Sequence, residues 1–287
     1  VEQVHRLQVI IPVYKPELDE WEQRSVGRGI SVLSAWPLGW VYPEGMDMAY
    51  YRRAFPEIGH FYPVGREYLR SVSGYNRLLL QAAFYQLFAA YEYLLVYQPD
   101  CYIFRDELER WMQAGYDYVG GVWFENYLVQ PGVEPRLSYP GNGGFSLRRV
   151  AAMQDILEDG RPFNRISTLG KAYVSNVRRG MPIHRVLVEF VKTLLYVVGW
   201  NNSPRSAARW WPVNEDRFFV DMAMVHGRLR IPSVEEAIDF CWDHAPGWLY
   251  TRYGRLPMAA HAWYREDWIY AGNRKFWEDK LEEVLDV

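Results

Sequence analysis

Short, uninterrupted apolar runs alternate along this chain with longer stretches in which apolar residues recur at helical spacing. Gln8-Val-Ile-Ile-Pro-Val13 is β-branched and ends in a Pro-Val pair, the pattern of a buried first strand. The polar stretch from Glu17 to about Trp36, punctuated by apolar residues, predicts a helix, and Trp40-Val-Tyr42 before Pro43 a second strand. From Asn76 to Tyr91 a helical stripe runs through Leu79, Ala82, Ala83, Leu87 and Ala90. Tyr93-Leu-Leu-Val-Tyr97 is too short and too uniformly apolar for a surface helix and reads as a central strand.

Further along, Asp106 to Ala114 predicts a helix and Tyr118-Val-Gly-Gly-Val122 a strand. A helix is expected from Ser146, with Val150, Met153 and Leu157 on one face. Arg161 to Pro182 is irregular. From about His184 to Val198, Leu187, Phe190, Val191, Leu194 and Val198 recur at helical spacing. Ser233-Val-Glu-Glu236 is a capping box that opens a helix through Phe240. Strands alternating with helices define an α/β protein whose N-terminal strands build the sheet. No repeat, low-complexity tract or linker breaks the pattern, so a single domain over 1–287 is expected.

Hydrophobic residues make up 49% of the chain and charged residues 23%, enough for a real core. Aromatic residues reach 17%, with 13 Trp and 22 Tyr, which suits stacking on sugar rings or bases, although an aromatic-rich core would give the same figure. A net charge of −3 argues against a general phosphate-backbone binder. Arg178, Arg179, Arg185, Arg205 and Arg209 could form a local basic patch, but solvated surface charge is the plainer reading. Cys101 and Cys241 are too few for a disulfide framework, which makes a reducing compartment the default. The longest apolar stretch, Val186 to Trp200, is broken by Glu189 and Lys192, and no signal peptide is evident. No membrane span and a cytoplasmic location are therefore expected.

Four places carry candidate chemistry. Gln98-Pro-Asp100 follows the central strand, and a carboxylate at a strand's carboxyl end sits where α/β proteins bind ligands. Pro-Asp is equally good turn chemistry. Gly141-Asn-Gly-Gly-Phe-Ser-Leu-Arg148 lets backbone approach a ligand, or forms a glycine-rich loop leading into a helix. It is neither a P-loop nor a dinucleotide fingerprint. Asn214-Glu-Asp216 sets two carboxylates on a turn or helix start, pointing in different directions, so that one can bind a hydroxyl while the other accepts its proton. An acidic helix N-terminus is the plain alternative. Finally, His261 stands between alanines, a setting more typical of a packed histidine than of a ligand.

Taken in order, Ile11-Pro-Val-Tyr-Lys15, Tyr75-Asn76, Tyr97-Gln-Pro-Asp100, the glycine run, Asn214-Glu-Asp216 and Ala260-His261 resemble the GT-A glycosyltransferases. Within that group they resemble a family of glycosyltransferases of unknown acceptor, from about Val9 to Trp263. The resemblance implies a Rossmann-type fold with a central, mostly parallel sheet flanked by helices, a donor half of about 1–150 and an acceptor half of about 151–287. It implies transfer of a sugar from a nucleoside-diphosphate sugar, a UDP-sugar, to an acceptor hydroxyl. Asp216 would be the base of an inverting reaction, with Glu215 orienting acceptor or sugar. Pro12, Val13, Tyr14, Asn76, Gln98 and Asp100 would line the donor nucleotide. Asn142, Gly143, Gly144 and Trp123 would read the sugar or acceptor, and Asp100 and His261 would hold Mn²⁺ or Mg²⁺. Gln98 stands where the family's Asp-x-Asp motif has its first Asp, so only one carboxylate of that motif remains and metal dependence is open. A non-catalytic carbohydrate-binding protein and a nucleotidyltransferase are the alternatives. The acceptor could be a glycan, a small molecule or a modified nucleic-acid base.

Overall fold

The computed structural model describes residues 5–125, 134–163, 182–197, 202–267 and 270–285. Strand β1 (His5–Pro12) enters the core after two exposed residues, and every later position in it is buried. Helix α1 (Glu20–Val32) begins three residues later than the polar pattern suggested, because Asp19 caps it. The Asp19 carboxylate accepts from the Glu22 amide while the Glu22 side chain accepts from the Asp19 amide, satisfying two end donors at once. Strand β2 (Leu38–Pro43), helix α2 (Ala49–Ala54) and strand β3 (His60–Val64) follow.

The helix expected over Asn76–Tyr91 is two short helices, α3 (Val72–Leu79) and α4 (Ala82–Gln86). Ser71 caps α3 by accepting from the Gly74 amide, which sets the start earlier than the apolar stripe does. Strand β4 (Tyr91–Tyr97) is the central strand read from its composition. After it come β5 (Tyr102–Ile103), α5 (Leu108–Gln113) and β6 (Tyr118–Phe124).

The largest departure is β7 (Leu137–Arg149), which swallows the whole glycine run and the start of the helix expected at Ser146. That helix, α6 (Val150–Glu158), begins only where β7 ends. Its apolar face, Val150, Met153 and Leu157, is buried as expected. Glycine ordinarily weakens a strand, but Gly120 and Gly121 on β6 lie opposite the run, and the register shifts there. A Cβ on Gly120 would sit 2.5 Å from the Asn142 carbonyl oxygen, so the irregular pairing requires its absence.

Beyond β7 lie α7 (Ile183–Val197), α8 (Pro204–Arg209), α9 (Glu215–Met224) and α10 (Val234–Ala237), the last opened by the Ser233 capping box but stopping short of Phe240. They are followed by β8 (Cys241–Trp242), α11 (Pro246–Tyr253), β9 (Ala259–Ala260) and α12 (Asn273–Leu285). Val198, expected in the helix of α7, and residues 164–181 lie outside the described residues.

Six strands form the main sheet in the order β3-β2-β1-β4-β7-β6, with β1 parallel to β2 and β4, β2 parallel to β3, and only β7 antiparallel to its neighbours. The protein is thus α/β with a mostly parallel central sheet flanked by helices. Alternation sorts β1 and β4 onto two cores. Val9, Ile11, Leu95 and Tyr97 pack toward α1 and α5, while Ile10, Leu94 and Val96 pack toward α3, α4, α6 and α9. A second sheet, β5-β9-β8, covers a third cluster built on Trp242, Trp263 and Trp277.

Two glycines of α1 test this packing. Gly27 has open space around it, whereas a Cβ on Gly29 would lie 2.5 Å from the Tyr97 ring, whose hydroxyl donates to the Ser25 carbonyl. Gly27→Ala should raise stability by about 0.5–1 kcal/mol through helix propensity. Gly29→Ala should lower it by about 1–3 kcal/mol through overpacking. Chemical denaturation of the two variants measures both; equal effects would contradict the tight α1–β4 contact.

Candidate functional site

The second sheet gathers residues that are remote in sequence. Its three strands are two residues long, and Asp100-Cys101 precedes β5, Asp243-His244 follows β8 and His261 follows β9. Parallel pairing of Cys241 with Ala259 and Trp242 with Ala260 brings the β8 and β9 ends into register, and the His261 amide donates to the Trp242 carbonyl. His261 Nδ1 lies 3.0 Å from Asp243 Oδ1, and His261 Nε2 lies 3.5 Å from Asp100 Oδ1 and 3.2 Å from Gln98 Oε1. His244 Nδ1 is 2.8 Å from the other Asp243 oxygen. Ala245 and Ala262, which follow the two histidines, are the non-glycine residues with positive φ among those described, at 50° and 52°. Such strained backbone persists only where the surroundings over-determine it.

Strand β7 runs past the carboxyl end of β4, whose last pair is Tyr97 with Phe145, so the glycine run lies over the edge where parallel strands present ligand sites. The Asn142 side chain donates to Asp243 through Nδ2 and accepts from the Gly144 amide at Oδ1, and the Gln98 backbone amide donates to the Gly144 carbonyl. A Cβ on Gly144 would stand among the His261 ring atoms. One on Gly143 would meet Glu215 Oε1 at 2.8 Å and the Asp216 Cβ at 3.1 Å. The imidazole and the carboxylate pair therefore flank adjacent residues of one strand.

Glu215 and Asp216 form the first turn of α9, where the exposed amides favour negative charge. Both are buried, and their fates differ. Glu215 accepts from the fully buried Arg148 at 2.9 Å, and the same guanidinium donates to the Tyr85 hydroxyl and to Ser146. Among the described residues no cation pairs with Asp216; its carboxylate accepts from the Gly143 and Arg217 amides. Burial, and next the charge of Glu215, push its carboxyl up to about 7 against the pull of those amides and of Arg148. A carboxyl near 7 is half ionised at neutral pH, which is where a proton acceptor works best.

Burial alone would lower His261, but the carboxylates of Asp100 and Asp243 outweigh it and raise the imidazole to about 9. Its contribution to stability is thus fully present below its ordinary value of 6.5 and is lost as pH rises through about 9. Burial works to raise Asp243, yet the His244 and His261 rings hold it well below the usual carboxylate range. Asp100, Cys101 and His261 offer ligand atoms within 4.8 Å of one another. The Cys101 thiol is pushed up by burial and by the Asp100 charge and donates to the Gly144 carbonyl. Asp100 Oδ1, by contrast, is buried without a hydrogen-bond partner. Together with the Gln98 oxygen it makes an oxygen-donor pair, and a divalent cation binding there would have to displace the proton that His261 holds at neutral pH before that nitrogen could join the set.

The other expected site residues fall in varied places. Pro12 ends β1, the Val13 side chain is in the core, and the Val13 amide donates to Val41, so neither the side chain nor the amide of Val13 faces a ligand. Tyr14 is 64% exposed beside this edge. Asn76 donates to the Asn214 side chain and accepts from the Glu215 amide at 3.4 Å, and so braces the start of α9. Trp123 stacks edge-on against Tyr139, next to Arg217. Asp243, His244 and the bracing role of Arg148 were not foreseen. Asp243 follows a short apolar pair as Asp100 follows β4, and that likeness was the available signal.

The chain belongs to the family described as "Protein of unknown function (DUF5672)", which matches residues 60–261. No curated protein is matched by sequence. Among solved structures, the chain is similar to the apo form of mouse xyloside xylosyltransferase 1, at 12% identity and a TM-score of 0.43, over 90% of this chain and 97% of that one. It is also similar to galactosyltransferase LgtC in complex with donor and acceptor sugar analogs, at 12% identity and a TM-score of 0.47, over 96% of this chain and 99% of that one.

The Arg148–Glu215 pair yields a stability test. Arg148→Leu leaves the buried Glu215 uncompensated and should cost about 3–5 kcal/mol, whereas Arg148→Leu with Glu215→Leu should regain most of that loss. Urea titration of both variants checks it; a double variant no more stable than the single one would contradict the account.

Proposed function

We propose that this protein is a GT-A-type glycosyltransferase that moves a sugar from a UDP-sugar to an acceptor hydroxyl with inversion. The observation that carries this reading is the pairing at the head of α9. Arg148 neutralises Glu215, while Asp216 keeps an unpaired carboxyl raised to about 7, held against the Gly143 amide. One ionisable carboxylate is thus poised to accept a proton, close against a strand whose Gly143 and Gly144 let Asp216 and His261 approach it from either side.

In this reading the acceptor oxygen attacks the anomeric carbon as the bond from that carbon to the diphosphate oxygen breaks. The acceptor proton passes to Asp216, and the diphosphate leaves with the bonding electrons. The transition state is oxocarbenium-like, and attack from the face opposite the leaving group inverts the configuration. Asn142 and the backbone of Gly143 and Gly144 would read the sugar, with Trp123 on the acceptor side, and Pro12, Tyr14 and Gln98 would border the nucleotide. Asp100 and His261, with Gln98 beside them, would hold Mn²⁺ or Mg²⁺, and the ion supplies positive charge to the leaving diphosphate. Asp243 fixes the ring of His261 from behind.

Incubation with a panel of nucleotide sugars separates this reading from its rivals. Release of free nucleoside diphosphate supports sugar transfer, pyrophosphate indicates nucleotidyl transfer, and saccharide binding without turnover indicates a carbohydrate-binding protein. Asp216→Asn should cut transfer by roughly 10²–10⁴-fold with donor affinity unchanged by calorimetry. In the wild type the rate should rise with pH through about 7 and level off, since the base works only when ionised. Retention of configuration by NMR, or near-normal turnover of Asp216→Asn, would remove Asp216 from this role. Asp100→Ala should abolish the enhancement of donor binding by Mn²⁺ at an unchanged melting temperature; enhancement that survives would place the ion elsewhere.

A further inference from the structure

Helix α7 carries a feature that sugar transfer does not use. Leu187, Val191 and Leu194 recur along one face and are 61%, 52% and 48% exposed. Large apolar side chains normally reach solvent singly, not as a stripe. On the opposite side of the helix, by its 3.6-residue period, stand Arg185 and Lys192, both exposed. The charge of the surrounding sequence points the same way. Between residues 165 and 192 stand Arg165, Lys171, Arg178, Arg179, Arg185 and Lys192 against the single acidic Glu189, in a chain whose net charge is −3.

A basic helix with an apolar stripe matches a surface that is negative outside and apolar beneath, as an anionic bilayer is. The helix cannot span one. Its 15 residues reach about 22 Å, short of a hydrocarbon core of about 30 Å, and among the described residues no helix is long and apolar enough to cross a membrane. At its carboxyl end it is tied to the body, where Asn202 donates to the Tyr196 carbonyl and Tyr196 borders a pocket with Phe163, Trp211 and His226.

We propose that α7 is an interfacial helix that docks this protein on anionic lipid, with Leu187, Val191 and Leu194 entering the acyl boundary and Arg185 and Lys192 meeting the headgroups. This turns the side of the body that carries α9 toward the membrane, since Tyr196 of α7 and Asp221 of α9 line the same pocket, and it stands whether or not the sugar-transfer reading does. The test is co-sedimentation of the full chain with vesicles of phosphatidylcholine alone and of phosphatidylcholine with an equal share of phosphatidylglycerol. The wild type should bind the mixed vesicles and release as salt rises. Leu187→Gln/Val191→Gln/Leu194→Gln should weaken that binding about ten-fold or more, with circular dichroism and melting unchanged. Should that variant fold poorly, Arg185→Gln/Lys192→Gln should lower the affinity and flatten the salt dependence. No wild-type binding to mixed vesicles, or equal binding by the variants, would overturn the proposal. So would a lipid-free dimer that the triple variant dissociates, since the stripe would then be a contact between copies.

Discussion

Strand β7 can hold a carboxylate pair against one residue and an imidazole against the next because residues 143 and 144 carry no side chains. A Cβ at either position would collide with Glu215 and Asp216 or with His261. This volume constraint lets α9 and the second sheet close on the same stretch of backbone, and the hydrogen bonds of the site depend on that closeness. Gly143 donates to Asp216, Gly144 donates to Asn142, and Asn142 donates to Asp243. Glycine here works as a vacancy in the packing, and at neither position is its conformational freedom at issue.

Charge at the site is arranged so that neighbouring groups of the same type behave differently. Arg148 is buried beside the rings of Tyr118 and Phe219 and spends one arm on Glu215, so Asp216 meets the cost of burial with two amide hydrogen bonds and only the more distant pull of that guanidinium. Across the strand, Asp243 sits between two imidazoles and is held ionised, while Asp100 faces only one of them, at 3.5 Å from His261 Nε2. Of two adjacent acids on α9, one is a structural anchor and the other is titratable near neutrality. Of the two aspartates at His261, one fixes the ring and the other is open to a ligand. Environment, and not residue type, makes the assignment.

The central strands were legible because β1 and β4 are buried on both faces, and such strands announce themselves as unbroken apolar runs. The acidic start of α9 and the Ser233 box were legible as local capping chemistry. The loop offered as one reading of the glycine run is a strand, because what makes it so is its partner β6, itself glycine-bearing, and pairing is not local information. The helix over Asn76–Tyr91 was misread for a related reason: Ser71 starts α3 early, and the chain breaks after Leu79 before resuming at Ala82. Asp243 and His244 escaped notice because strands of two residues have no period to detect. Asp100 and His261, read as one site from a family resemblance, do meet, and the reason is the register of that small sheet.

The brevity of those strands also bears on the order in which the molecule assembles. Gln98 and His261, in contact at the site, stand 163 residues apart, and the sheet that joins their segments has too few hydrogen bonds to form in isolation. Long-range closure of this kind comes after local structure, since its loop entropy must be lost before any contact compensates. On a ribosome the strands through β4 can associate while the rest of the chain is still unmade. The cluster around His261, by contrast, is a late product, complete only once β9 has emerged, so synthesis interrupted before it would yield a partial sheet with no partial site.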